Sequence, residues 1–382
     1  MKKRVMVVYG TRPEAVKVAP LIKALEAAPS LTPVVVSTGQ HREMLDQVNA
    51  WFGIEPDIDL ELLRPGQSLS QLASRILDKM PGVLAQFQPD AVVVQGDTST
   101  VAMTAIACFY EKVPVVHLEA GLRSGNIMSP YPEEANRKLT GQVAALHLAP
   151  TVESRDNLLR EGIDPEIVAV VGNTVIDALR WTTQHEVEFS DPRLRDAVAA
   201  GRKAVLITAH RRENWGEPMI RIGAAVAELS RHYPDRSFVL PAHMNEDVRN
   251  DLRVHLADLD NVIITEPLDY PEFVHAQKWA DIILSDSGGV QEEAPSLGRP
   301  VLVLRENTER PEAVAAGTVK LIGTEQQRIV DESRTLLNDP QAYAAMSHAI
   351  NPYGDGQAAE RSAAAIAQLL GVGERLPDFT AD

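Results

Sequence analysis

Three carboxylates and a histidine stand where apolar runs give way to loops, the places from which an α/β protein usually does its chemistry. Asp97 lies in Gln95-Gly96-Asp97-Thr98, directly after the run Ala91–Gln95. Glu119 follows Val115-Val116-His117-Leu118, and Glu133 follows Pro130-Tyr131-Pro132. Carboxylates gathered at one sheet edge can drive one another's pKa values apart, so that one acts as acid and another as base near neutral pH. Each also has a plainer use. Asp97 is well placed to cap the next helix. Glu119 is costly at the end of a buried strand unless paired, with Arg123 the candidate partner. One of Glu133 and Glu134 serves as a cap or a solvated charge. Metal binding is the rival use of three carboxylates, but no His-x-x-x-His spacing accompanies them.

A second set of residues suits an anion. In Gly10-Thr11-Arg12-Pro13-Glu14-Ala15-Val16-Lys17, Arg12 sits at a helix start and Lys17 one turn in. Two cations beside a helix N-terminus can clamp a diphosphate, although an ordinary surface loop would look similar. The G-x-G-x-x-G fingerprint is absent here, which argues against a nicotinamide or flavin enzyme. Further on, His210, Arg211 and Arg212 end another apolar run. They form either an anion site that stabilises a charged leaving group or a backbone-bonded histidine with arginines paired to Glu213. The segment Ser285-Asp286-Ser287-Gly288-Gly289 then turns into a helix carrying Glu293. Gly288 and Gly289 let backbone approach a phosphate beside the Ser287 hydroxyl, and Glu293 could accept hydrogen bonds from a ribose diol. Arg310 adds a cation nearby in sequence.

These loops require a scaffold of parallel strands. Short β-branched runs alternate with stretches of helical period, the pattern of parallel-sheet α/β architecture. The pattern predicts strands at Arg4–Tyr9, Pro33–Ser37, Ala91–Gln95, Pro114–His117, Ala145–Leu148 and Ile167–Val171 in the first half. A second series follows at Ala204–Thr208, Ser237–Leu240, Val262–Thr265, Ile282–Ser285 and Val301–Leu304. Ser68 and Gln71 form a capping box for one intervening helix. The division reads as a first α/β domain over 1–176, a polar connection over 177–201, a second α/β domain over 202–350 and a terminal helical segment over 351–382. Two doubly wound domains in tandem are expected to set their loops at a ligand cleft between them.

Bulk properties narrow the class. The 382 residues suit two domains of ordinary size, with 45% hydrophobic and 24% charged residues. A net charge of −16 argues against nucleic-acid and anionic-membrane partners. Cys108 is the single cysteine, so neither an intrachain disulfide nor a Cys-based zinc site can form. The apolar start ends at Gly10, too soon for a signal peptide, and no stretch reaches the length of a membrane span. The expected location is the cytoplasm.

Taken in order, the segments GTRPEAVKVAPL, QHREMLDQV, QGDTST, HLEAGLRS, PYPEEANRKLTG, GNTVIDAL, TAHRREN, SDSGGVQEEAPSLGRPVLVLRENTERPEAV and NPYGDGQA resemble the bacterial non-hydrolysing UDP-N-acetylglucosamine 2-epimerases over nearly the whole chain. That resemblance implies a GT-B fold, two facing doubly wound domains whose C-terminal helix crosses back to the first. It implies interconversion of UDP-GlcNAc and UDP-ManNAc by elimination and re-addition of UDP, with no redox cofactor; the missing ligand spacing already speaks against a metal. By similarity, Asp97, Glu119, Glu133 and His210 match the catalytic positions. Arg12, Lys17 and Arg310 match residues that hold the phosphates or sugar. Ser287, Gly288 and Gly289 would meet the diphosphate, Glu293 the ribose and Phe273 the uracil. Gln40, His41, Arg211 and His243 match segments that bind a second UDP-GlcNAc as activator in many bacterial members, whereas Glu43, Gly66 and Leu268 depart from residues found in some relatives. A homodimer is also implied. The rival readings are a GT-B glycosyltransferase, a hydrolysing epimerase that releases ManNAc and UDP, and a non-catalytic UDP-sugar sensor.

Overall fold

The computed structural model describes residues 2–39, 42–62, 64, 66–241, 252 and 254–381. Among them the strands form two sheets in which every neighbouring pair is parallel. The first comprises β1 (Lys3–Tyr9), β2 (Leu31–Ser37), β3 (Ile58–Asp59), β4 (Ala91–Gln95), β5 (Val115–Leu118), β6 (Leu146–Ala149) and β7 (Val168–Val170). Their order across the sheet is β3-β2-β1-β4-β5-β6-β7. The second comprises β8 (Lys203–Thr208), β9 (Arg236–Pro241), β10 (Val262–Thr265), β11 (Ala280–Ser285), β12 (Val301–Val303) and β13 (Val319–Leu321), in the order β10-β9-β8-β11-β12-β13.

Helices cover both faces of such a sheet, so central strands are apolar throughout rather than alternating. Val92, Val93 and Val94 of β4 have no exposed surface, and each contributes roughly 1.5–3 kcal/mol by burial. The strand pattern in the sequence predicts eleven of these elements. It misses β3 and β13, because two- and three-residue edge strands carry no periodic signal of their own. The capping box forms as expected: the Gln71 N–H donates to Ser68 Oγ at 3.2 Å, and the Ser68 N–H to Gln71 Oε1 at 2.9 Å.

The chain divides into two compact units, Met1–Arg180 with Tyr353–Asp382, and Trp181–Pro352. The C-terminal helix Ala358–Leu369 is tied into the first unit. Asp177 accepts hydrogen bonds from the N–H groups of Ala358 and Ala359 at the start of that helix, at 3.3 and 2.8 Å. The Asn173 N–H donates to the Tyr353 carbonyl, and the Phe379 N–H to that of Val170, both at 2.7 Å. No helix among the described residues is long and apolar enough to cross a membrane.

Strand order also sets where ligands can bind. From β1 the chain moves outward to β2, then returns to β4 on the other side; from β8 it moves to β9 and returns to β11. The loops after β1 and β4, and after β8 and β11, therefore part at a crevice beyond the strand ends, one in each unit.

Candidate active site

In the first unit the loops after β1, β4 and β5 are bonded together at that crevice. Glu14 is buried, and its Oε2 accepts the N–H groups of Gly10 and Thr11 at 2.6 and 2.8 Å. Its Oε1 accepts the hydroxyl of Thr98, so the loop after β1 is bonded to the loop after β4. Burial pushes the Glu14 carboxyl above its usual range, against three hydrogen bonds that favour the ionised form. Thr98, not Asp97, caps the following helix, accepting the Val101 N–H at 3.4 Å. That leaves the Asp97 carboxylate to take a charge-assisted bond from Arg137, while Asn136 donates to the Asp97 carbonyl at 2.8 Å.

Glu119 closes the same crevice. Its partner is Lys17, whose Nζ lies 2.6 and 2.7 Å from the two carboxylate oxygens, and Gln95 Nε2 donates to the second of them. The expected pairing with Arg123 is corrected: that guanidinium makes a bidentate pair with Glu161 at 2.9 and 2.7 Å. Arg123 and Lys138 hold the Glu161 carboxyl down at about 2. Glu119 has φ +64, which a non-glycine residue adopts only at a cost of about 1 kcal/mol or more. Two residues on, Gly121 has φ +91, and a Cβ there would stand 2.1 Å from the Ser154 carbonyl oxygen. Only glycine fits.

At the start of the helix Glu133–Val143, the two glutamates separate. Glu134 is fully buried and accepts the N–H groups of Ser124 and Gly125, at 3.0 and 3.3 Å, so it organises the loop. Glu133 has one carboxylate oxygen shielded from solvent with no hydrogen-bond partner. Arg12 opens the first helix at the same crevice.

The second unit has the opposite construction. Asp286, fully buried after β11, accepts the N–H groups of His210 and Arg211 at 2.9 Å each and Asn214 Nδ2 at 3.0 Å, all on Oδ2. His210 Nδ1 stands 3.1 Å from Oδ1, though not in hydrogen-bond geometry, and the side chain is 46% exposed. The loops after β8 and β11 are thus fastened through one carboxylate. Ser287 precedes the short helix Gly288–Glu293 at its N-cap position, without a side-chain cap hydrogen bond, and the guanidinium of Arg310 lies against Gly288. Arg310 Nε donates to the buried Glu292 at 2.6 Å, and Gln277 donates to Glu293 at 2.7 Å. Arg305, 5% exposed, bridges Glu213 at 2.7 Å and Glu309 at 2.9 and 3.2 Å. Burial opposes the Glu309 charge, yet Arg305 holds that carboxyl down at about 2. The arginine that pairs with Glu213 is therefore Arg305, rather than Arg211 or Arg212. Phe273 is partly exposed on the helix Tyr270–Trp279.

The family model for UDP-N-acetylglucosamine 2-epimerase matches residues 23–367. The chain belongs to that family. It is 50% identical over 365 residues to the UDP-N-acetylglucosamine 2-epimerase of Escherichia coli K12, covering 94% of this chain and 96% of that one. Among solved structures, the UDP-GlcNAc 2-epimerase of Neisseria meningitidis bound to UDP-GlcNAc is 48% identical with a TM-score of 0.85, over 94% of this chain and 97% of that one. An S. aureus MnaA–UDP co-structure is 45% identical with a TM-score of 0.88, over 99% and 100%. The fold class is the GT-B type that the motifs imply for this epimerase family.

Within this family fold, Asp97, Glu119, Lys17 and Glu133 lie on the loops and first helical turns of the first unit, His210, Arg211, Ser287, Gly288, Gly289 and Arg310 on those of the second, and Glu293 at the end of the short helix Gly288–Glu293. Gln40, His41 and His243 lie outside the described residues. Sequence reasoning overlooks Glu14, Gln95, Asn136, Arg137, Asp286, Glu292 and Arg305. Their signal was available only in part: Asp286 and Glu292 flank the Ser-Gly-Gly turn, whereas nothing local marks Arg137 or Arg305 as partners of distant carboxylates.

Proposed function

We propose that this chain is an isomerase that interconverts UDP-GlcNAc and UDP-ManNAc without hydrolysis. Carbon 2 of the sugar is not appreciably acidic, so departure of UDP must lead, building positive charge at C1. The C1–O electron pair leaves with UDP, the C2–H pair becomes the C1=C2 bond of 2-acetamidoglucal, and the proton passes to a carboxylate. The loss is anti; the return adds UDP and a proton syn, with the proton delivered to the opposite face of C2. Electrons balance without an oxidant or reductant. The groups required are a receptor for the leaving diphosphate and acid/base groups for both faces of C2.

The observation that carries this reading is the ordered set of family motifs, with the carboxylates Asp97 and Glu119 each held by a cation in the first unit. Asp97, Glu119 and Glu133 then handle the proton. His210, Arg310 and the Ser287-Gly288-Gly289 turn receive the diphosphate, with Glu293 at the ribose, Phe273 at the uracil, and Arg12 and Lys17 assisting. Lys17 acts in this scheme through Glu119, whose charge it balances, as well as on the ligand. The same reading includes a second UDP-GlcNAc as activator near Arg211, a homodimer, a cytoplasmic location and supply of UDP-ManNAc to cell-surface polysaccharide synthesis.

Proton NMR of UDP-GlcNAc with the purified protein in D2O tests it. UDP-ManNAc carrying deuterium at C2 is the expected product. Free ManNAc with UDP would replace this reading by the hydrolysing one, and an unchanged nucleotide sugar would sink it.

A further inference from the structure

Two buried imidazoles in the first sheet take no part in the chemistry above. His117 on β5 is 1% exposed, and its register partner His147 on β6 is fully buried. Their ring centroids stand 6.5 Å apart, edge to face. Burial pushes both rings down, to about 4 at His117 and about 3 at His147, with Arg123 adding repulsion at each and Arg137 at His117. Both rings are therefore neutral at neutral pH, each with one N–H and one lone pair.

The tautomer of His117 follows from its partner. Nε2 lies 2.8 Å from the Gly96 carbonyl oxygen, and a carbonyl only accepts, so the proton is on Nε2. Nδ1 then carries the lone pair and is buried with no hydrogen-bond partner. Such a group costs about 1–3 kcal/mol, which an apolar side chain at the same position would not. A histidine here has to be explained by what its N–H holds.

Gly96 has φ +81 and immediately precedes Asp97. Its N–H donates to the Leu118 carbonyl at 2.9 Å, and the Asp97 carbonyl accepts from Asn136. The Gly96 carbonyl belongs to the peptide plane that leads into Asp97, and the His117 bond fixes that plane. We propose that His117 is a positioning residue for Asp97: its Nε2–H clamps the Gly96–Asp97 peptide and so sets the direction in which the Asp97 carboxylate is presented. This rests on the catalytic role given to Asp97 above.

The test compares three variants of the full chain. Gln places a donor near the position of imidazole Nε2. Asn reaches only to the position of Nδ1, and Phe keeps the ring volume without a donor. The readouts are kcat and KM for epimerisation, deuterium exchange at C2, and UDP affinity by calorimetry. His117→Phe and His117→Asn should lower kcat and the exchange rate by about 30–100-fold, the scale of a small misplacement of a reacting group, with UDP affinity unchanged. His117→Gln should remain within about 5-fold of the parent. In an Asp97→Asn background, His117→Phe should cause no further loss. If the Phe variant fails to fold, the Gln and Asn pair carries the comparison alone. Equal losses in Gln and Asn, a parent-like kcat in Asn or Phe, or additive losses with Asp97→Asn would each overturn the proposal. Normal turnover by Asp97→Asn itself would instead overturn the catalytic assignment on which it rests.

Discussion

The crevices of the two units share one strand plan and differ in how their charges are paired. In the first, the carboxylates given the proton-transfer role in the proposed reaction are each held by a cation: Lys17 on Glu119 and Arg137 on Asp97. In the second, buried or partly buried arginines are each held by carboxylates: Arg310 by Glu292, and Arg305 by Glu213 and Glu309. The two crevices show that topology supplies a place for loops but not their charge. A proton-transfer group needs a partner that keeps it ionised and aimed, whereas a diphosphate receptor needs guanidinium groups oriented in advance.

That contrast can be broken at several points, beginning with the largest effect. Asp97→Asn and Glu119→Gln should each lower kcat by about 10³-fold, within the range for loss of general acid–base catalysis, while UDP affinity stays close to the parent's. Steady-state kinetics with calorimetry would check this, and unchanged turnover in either variant would remove that residue from the scheme.

Arg310→Met should act on the other side of the comparison. It leaves Glu292 buried without its cation, so chemical denaturation should report a loss of about 3–5 kcal/mol alongside roughly 10–100-fold weaker UDP binding. The double change Arg310→Met with Glu292→Gln should recover most of the stability and none of the affinity. Recovery of both would mean that Arg310 serves structure alone.

Acid should weaken the first unit through its buried histidines. The folded pKa of His147 lies below that of the unfolded chain, so the unfolded state takes up a proton first as pH falls from about 6.5 towards 3. Stability is fully present above that window and declines within it by about 1.4 kcal/mol per pH unit. His147→Leu should flatten this slope relative to the parent in denaturant titrations between pH 7 and 4. Parallel slopes would show that the imidazole is solvated or charged in the folded state.

The smallest effect falls outside both crevices. Ser68→Ala removes a helix cap and should lower stability by about 1 kcal/mol without altering kcat. A change in kcat would show that the helix Leu69–Phe87 is coupled to the site.

Much of this was readable from composition and spacing. The run Ala91–Gln95 announces a buried parallel strand because both its faces are apolar, and Asp97, Glu119, His210 and Ser287 stand out because each follows such a run. Edge strands β3 and β13 were not readable, being too short to show a period. Nor were the partners of the charged groups. The sequence points to Asp97 as a helix cap, a place Thr98 takes, and to Arg123 as the partner of Glu119, a place Lys17 takes.

The physical division is clear at those residues. Local sequence determined the longer strands, the helices and the chemistry available at each loop, because backbone propensity and burial pattern act over a few residues. Tertiary structure alone decided which charges meet. Lys17 and Glu119 are 102 residues apart, Arg305 and Glu213 92, and Arg137 and Asp97 40. Such pairs form only after strand order has brought separate loops to one crevice, and no local pattern encodes that order.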